Sequence, residues 1–323
     1  MDDVRRPIQW SAGTVTFAAL AAVAAAFLYW AQSTSPAPPQ RVYAIAFSPD
    51  SNLLVAGSTM GRILIWSTSD WATLGILGES PGRLNALAVS PDSTTLAAAG
   101  DALALWDLNR LTRQIVPETS GQIYGTVKYS PDGTRIATVS SRERIEVWDV
   151  RSQQRIRELC CSALYGDVAF DPKAETLASS GHILRFWDLA TGAEIVRLQN
   201  NEYVVGQIAF SPDGKTLAAG SQDRRLRLWD VAGRKQPRVF PGHDAYVESV
   251  AFSSDSALVA SRGRGNLVRV WNVVTGQPID IPAHRSTGDV RFSPDGKWLA
   301  AAAEDSVWLW NLVRKTGQKL AFE

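Results

Sequence analysis

Beyond residue 40, apolar and polar positions alternate with a period of two in short runs such as GQIAF, ESVAF and GDVRF. Alternation over four to eight residues marks strands with one face against a core, and the Ser-Pro-Asp-Gly clusters between runs mark turns. The pattern comes in packets. Residues 210–230, FSPDGKTLAAGSQDRRLRLWD, give one full packet: an alternating run ends at Phe210, a turn follows, then a small-residue strand TLAAG and a third strand LRLWD. Related openings stand at FSPD (47–50), VSPD (89–92), YSPD (129–132), FDPK (170–173), FSSD (252–255) and FSPD (292–295).

Proline presets φ at the second turn position, aspartate bonds its own backbone, and glycine accepts the left-handed conformation that closes a hairpin. Gly133, Gly214 and Gly296 complete this turn. The tryptophans ending the third strands are Trp66, Trp106, Trp148, Trp187, Trp229, Trp271 and Trp310, spaced by 40, 42, 39, 42, 42 and 39 residues. That period holds four short strands. After each tryptophan comes a short polar residue able to bond turn amides: Ser67, Asp107, Asp149, Asp188, Asp230, Asn272 and Asn311. One such sheet cannot bury both its faces, whereas copies arranged radially cover one another and close on themselves. The prediction is an all-β, seven-bladed β-propeller of four-stranded antiparallel blades over residues 41–323.

These seven registered copies resemble the WD-repeat β-propeller family, and the frequent SPDG is most similar to its bacterial members. The resemblance implies a hydrogen-bonded set of histidine, strand serine or threonine, turn aspartate and tryptophan in each blade. With three histidines the chain keeps it incompletely. Blade 6 has Gly242, His243 and Trp271 but Gly265 in place of the aspartate; blade 5 has Asp223 and Trp229 without a histidine; blade 7 has His284, Glu304 or Asp305, and Trp310. The other blades are expected to rely on apolar packing. Family members often close the ring by lending the first strand to the last blade. Here three prolines in residues 33–40 prevent that, and residues 318–323 (QKLAFE) are expected to supply the outer strand of blade 7.

After a tail of residues 1–7, Ile8 to Ala31 carry no charge, and as a helix this run would reach ~36 Å against a hydrocarbon core of ~30 Å. Trp10, Tyr29 and Trp30 stand where interfacial aromatic anchors belong. The segment is expected to be a transmembrane helix acting as a signal anchor; a cleaved signal peptide is the competing reading. Arg5 and Arg6 before it favour a cytoplasmic N-terminus and a propeller on the extracytoplasmic, periplasmic side. Residues 32–40 form a Pro-rich linker.

Charge alters the picture little: 33 basic against 32 acidic residues leave no global field for nucleic acid. Cys160 and Cys161 are adjacent and cannot staple distant parts of the fold. No nucleophile–base pair, metal-type spacing of His182, His243 and His284, or phosphate-cradling glycine loop is legible, so no catalytic residue, metal or cofactor is assigned.

Candidate chemistry lies instead at one end of the ring. The turns between second and third strands bring Arg142 and Arg144, Arg224 and Arg225, and Arg262 and Arg264; the loops leading into first strands bring Tyr124, Tyr165, Tyr203 and Tyr246. Arginine and tyrosine are enriched in binding hot spots. A protein or peptide partner with an acidic segment is the expectation, held by a membrane-anchored scaffold without catalysis of its own. The alternative is an extracytoplasmic enzyme or enzyme subunit that takes a substrate or cofactor in the propeller channel.

Overall fold

The computed structural model describes residues 41–80, 82–116, 119, 123–159, 166–199, 205–233, 236–263, 265, 267–282 and 286–322. Among the described residues, twenty-eight strands form seven antiparallel sheets of four, each taking its strands in chain order. Blades 1 to 7 span 42–79, 84–115, 124–159, 168–199, 205–240, 247–282 and 286–321. Every blade is contiguous in sequence, and the outer strand of blade 7 is Thr316–Ala321, two residues earlier than expected at each end. The anchor segment 8–31 and the linker lie outside the described residues, as do Cys160 and Cys161; among the described residues no helix is long and apolar enough to cross a membrane.

The core is divided into seven apolar clusters, each shared by two neighbouring blades. Each repeat tryptophan sits in the cluster it shares with the preceding blade: Trp106 packs with blade 1 residues Ile63 and Leu77, and Trp66 packs with Val307, Leu309 and Phe322 of blade 7. The alanine-rich second strands let these rings reach across. Burying an aromatic between two sheets makes each blade stable only beside its neighbour.

Closure uses backbone as well as side chains. Val42 N–H donates to Glu304 O at 3.2 Å, and the first strand of blade 1 lies along the first strand of blade 7. Gly288 fits there because a Cβ on it would fall 1.8 Å from Tyr43 O. All seven junctions are made by residues between 42 and 322, so the ring is complete without any residue before 41.

The turns behave as their chemistry predicts. In blade 5, Asp213 Oδ1 accepts from the amide of Lys215 at 3.0 Å, and Gly214 has φ of +71°. The turn serine adds a bond: Ser211 Oγ donates to Asp213 Oδ1 at 2.6 Å and accepts from Thr216 N–H at 3.0 Å. The polar residue after each tryptophan caps the next turn, as when Asn272 Oδ1 accepts from Thr275 N–H at 2.8 Å and Asp188 Oδ1 from Thr191 N–H at 2.7 Å.

The polar set implied by the resemblance is present in part. In blade 6 Ser261 Oγ accepts from Trp271 Nε1 and bonds His243 Nε2, both at 2.7 Å. With glycine at 265, His243 Nδ1 is buried without a partner. Beyond what the histidine count suggested, Trp148 Nε1 donates to Thr138 Oγ1 at 3.2 Å and Trp187 Nε1 to Ser179 Oγ at 2.9 Å. Blades 2 and 5 have Ala98 and Ala219 at that place, two residues beyond the partner of the tryptophan, and Trp106 Nε1 and Trp229 Nε1 are left buried without a partner.

Candidate partner-binding face and central channel

Successive antiparallel strands fix which loops share an end. Turns between first and second strands and between third and fourth strands lie at one end; the turns between second and third strands and the loops between blades lie at the other. The innermost strands leave a cavity of about 680 Å³ on the ring axis, lined by residues from all seven blades.

Its walls are a hydrogen-bonded collar. Asp167, nearly fully buried, accepts from Thr126 Oγ1 of blade 3 at 2.6 Å and from Ile208 N–H of blade 5 at 3.3 Å, and Lys128 Nζ lies 3.6 Å away. One carboxylate at the start of blade 4 therefore ties three blades. Asp289 accepts from Gln207 Nε2 at 2.6 Å and pairs with Arg291 at 3.1 Å, while Ser249 Oγ donates to Gln207 Oε1 at 2.8 Å and accepts from Val290 N–H at 3.0 Å. Sequence reasoning missed this collar. Its signal was the polar residue just before a Val or Ile in several first strands, Thr126, Asp167, Gln207, Ser249 and Asp289, where alternation alone asks for nothing specific. Tyr43, at the mouth, has its hydroxyl pKa raised by burial and by the negative charge of Asp289 and Glu248.

The structure sorts the candidate residues. Arg142, Arg144, Arg224, Arg225 and Tyr246 are exposed at the expected end, with Glu143 and Tyr246 on the cavity wall. Arg144 is bound to Glu158 of the adjacent outer strand. Asp223 does not neutralise its neighbours Arg224 and Arg225: it holds the buried Arg227 by two bonds, at 2.9 and 2.5 Å.

Two residues are not on this surface. Tyr124 is the first residue of its strand and fully buried, its hydroxyl donating to the buried Glu146 at 3.1 Å; burial and that carboxylate raise its pKa. It occupies the inward position that Val205 and Val247 fill in blades 5 and 6. Arg262 belongs to the second strand of blade 6, 2% exposed, and donates to Glu248 at 2.8 Å and to Gly263 O at 3.1 Å. Counting back from the tryptophan placed it in a turn, but the strand runs on to Gly263. Tyr165, Tyr203, Arg264 and His284 lie outside the described residues. His182 is exposed in the turn of blade 4, and among the described residues no cluster of His, Cys, Asp or Glu could hold a metal ion.

Backbone conformation marks two of these turns. Gly61 in blade 1 has φ of +86°, and the equivalent residues of blades 3 and 5 are Glu143 and Arg224, at +60° and +68°. A charged side chain in the left-handed region costs about 1 kcal/mol relative to glycine. Both project at the rim of the channel end, and Arg224 lines a second concavity with Gln222, Asp223 and Arg225.

The sheet topology, the axial channel and the seven tryptophan junctions together define a β-propeller of repeat units. Residues 32–67, 193–230, 234–272 and 277–311 match the family described as WD domain, G-beta repeat; each segment ends one residue past a repeat tryptophan. The protein is a seven-bladed β-propeller, similar to the WD40-repeat family over those four segments. It is 26% identical over 186 residues to the serine-threonine kinase receptor-associated protein of Gallus gallus, covering 56% of this chain and 53% of that one. Over 206 residues it is 26% identical to the guanine nucleotide-binding protein subunit beta of Zea mays, covering 57% and 53%. Over 178 residues it is 28% identical to the target of rapamycin complex subunit wat1 of Schizosaccharomyces pombe, covering 53% and 56%. The chain thus spans about half the length of these curated relatives. All three are eukaryotic, so they lend nothing to the bacterial likeness of the SPDG turns.

Proposed function

We propose that this protein is a membrane-anchored scaffold whose propeller binds a protein partner on the channel end, without catalysis of its own. The observation that carries the reading is the grouping of exposed Arg142, Arg224, Arg225 and Tyr246 around an axial cavity of about 680 Å³. Arg224 holds its place at a conformational cost, and Asp223 leaves both neighbouring guanidinium groups available to an acidic segment. The collar carboxylates Asp167 and Asp289 are engaged by other blades and by Lys128 and Arg291, which suits a rigid ring better than a reactive site. The names of the relatives, a receptor-associated protein, a G-protein subunit and a complex subunit, describe components of assemblies. The anchor at residues 8–31 would raise the local concentration of the propeller at the membrane, with the propeller on the extracytoplasmic side.

The test is a pull-down from native membranes with Arg142→Glu, Arg224→Glu and Arg225→Glu combined. Arg262 is excluded because reversing it would leave two acids facing each other beside the core. Loss of the recovered partner with an unchanged melting temperature supports the reading; undiminished recovery defeats it.

A further inference from the structure

The most exposed large apolar side chains among the described residues are not spread around the ring. Val274 is 78% exposed, Val313 76%, Ile279 63%, Leu74 59%, Leu111 58% and Ile76 53%. All six stand in outer strands or in the turns leading into them, and all belong to blades 6, 7, 1 and 2, which are consecutive around the closed ring. Blades 3, 4 and 5 offer only Ile156, Ile195 and Val239 in their outer strands, at 42 to 44%. Turn composition follows this division in three of the four blades, blade 1 having Ser69 and Asp70 at its tip. The third-to-fourth-strand turns of blades 2, 6 and 7 carry Leu111, Val274 and Val313 at their tips, where blades 3 and 4 carry Ser152 with Gln153 and Ala190 with Thr191. Scattered exposed apolar residues need no explanation, but an arc of them does.

Basic side chains flank the arc. Arg314 and Lys315 follow Val313, and Arg110, its side chain 82% exposed, precedes Leu111. Apolar tips beside arginine and lysine are the composition that seats a protein in the interface of an anionic bilayer. The inner turns at the adjoining end carry Asp50, Asp92, Asp255 and Asp295, each bonded within its own turn, with Lys297 paired to Asp295. Contact through the outer rim keeps those carboxylates away from headgroups.

We infer that the outer rim of blades 6, 7, 1 and 2 rests on an anionic lipid surface. The inference stands on the apolar and basic arc, apart from the proposed anchor.

The experiment is flotation of residues 41–323, the ring shown above to close by itself, with phosphatidylcholine vesicles containing phosphatidylglycerol. Co-flotation is expected, reduced about tenfold by Val274→Asp with Val313→Asp, reduced also by Arg314→Glu with Lys315→Glu, and unchanged by Ile156→Asp with Ile195→Asp. Absence of co-flotation, or equal loss in the blade 3 and 4 control, overturns the inference. So does a dimer in sedimentation that the Val274 and Val313 changes dissociate, because the arc would then serve a second copy of the chain. Alkaline extraction of the full chain reads the anchor separately: extraction of the full chain with co-flotation of residues 41–323 defeats the anchor and leaves the rim contact standing.

Discussion

The amide of Asp295 donates to Ser51 Oγ at 3.0 Å, joining the last blade to the first across 244 residues of chain. The same strap recurs from Asp50 N–H to Ser93 Oγ at 3.1 Å and from Asp213 N–H to Ser256 Oγ at 3.2 Å. Ser51, Ser93 and Ser256 have φ near +61°, at the turn position where Gly133, Gly214 and Gly296 stand in other blades. The serine hydroxyl reaches the neighbouring blade, whereas Ala174, at the same position of blade 4 with φ of +58°, has no hydroxyl to do so. Ser51→Ala keeps the strain and loses the strap, and should lower stability by about 1 kcal/mol in urea unfolding. Ser51→Gly loses both and should stay within about 0.5 kcal/mol of the parent.

Closure has a steric gate at Gly288. A methyl group there would fall 1.8 Å from Tyr43 O, so blades 1 and 7 would have to separate. Gly288→Ala should cost about 3 kcal/mol, read as a fall in urea midpoint, whereas Gly125→Ala, with its nearest atom 3.9 Å away, should cost much less.

Alanine two residues beyond the strand partner of the tryptophan in blades 2 and 5 suggests two stabilising changes. Ala98→Ser and Ala219→Ser each place a hydroxyl where Thr138, Ser179 and Ser261 already accept from an indole, and each should add about 0.5 to 1 kcal/mol. Ser261→Ala does the reverse, stranding Trp271 Nε1 and His243 Nε2 together, and should cost about 2 kcal/mol. Thermal melts of the three variants check the ordering.

His243 gives the fold an acid dependence. Burial, helped by the charge of Arg269, lowers its pKa to about 4 from an ordinary value of 6.5. The folded state therefore keeps the ring neutral where the unfolded chain would protonate it. Its contribution is complete above pH 6.5 and is lost as pH falls toward 4, to a total of about 3 kcal/mol. Urea midpoints between pH 7 and pH 4 should fall more steeply for the parent than for His243→Gln.

The fold was legible because propeller repeats write their own register. Trp66 to Trp310, the SPD turns and the short polar residue after each tryptophan are local signals, and each position emerged where its spacing implied. The site was less legible because it depends on which blades face one another. The bond between Thr126 and Asp167 crosses 41 residues, and that between Gln207 and Asp289 crosses 82. Neither leaves a sequence pattern beyond an isolated polar residue in an apolar strand. Tyr124 and Arg262 were misplaced for a related reason: aromatic and charged residues read as exposed until the buried Glu146 and the half-buried Glu248 are seen to bond them.

The account turns on the channel end being the face that meets another protein. Its most direct test is a photo-crosslinking amino acid placed at residue 225, and at residue 152 on the opposite end, in the full chain in native membranes. The account predicts a discrete protein adduct from residue 225 that is absent from residue 152. Adducts of equal yield from both ends, or from residue 152 alone, would contradict it.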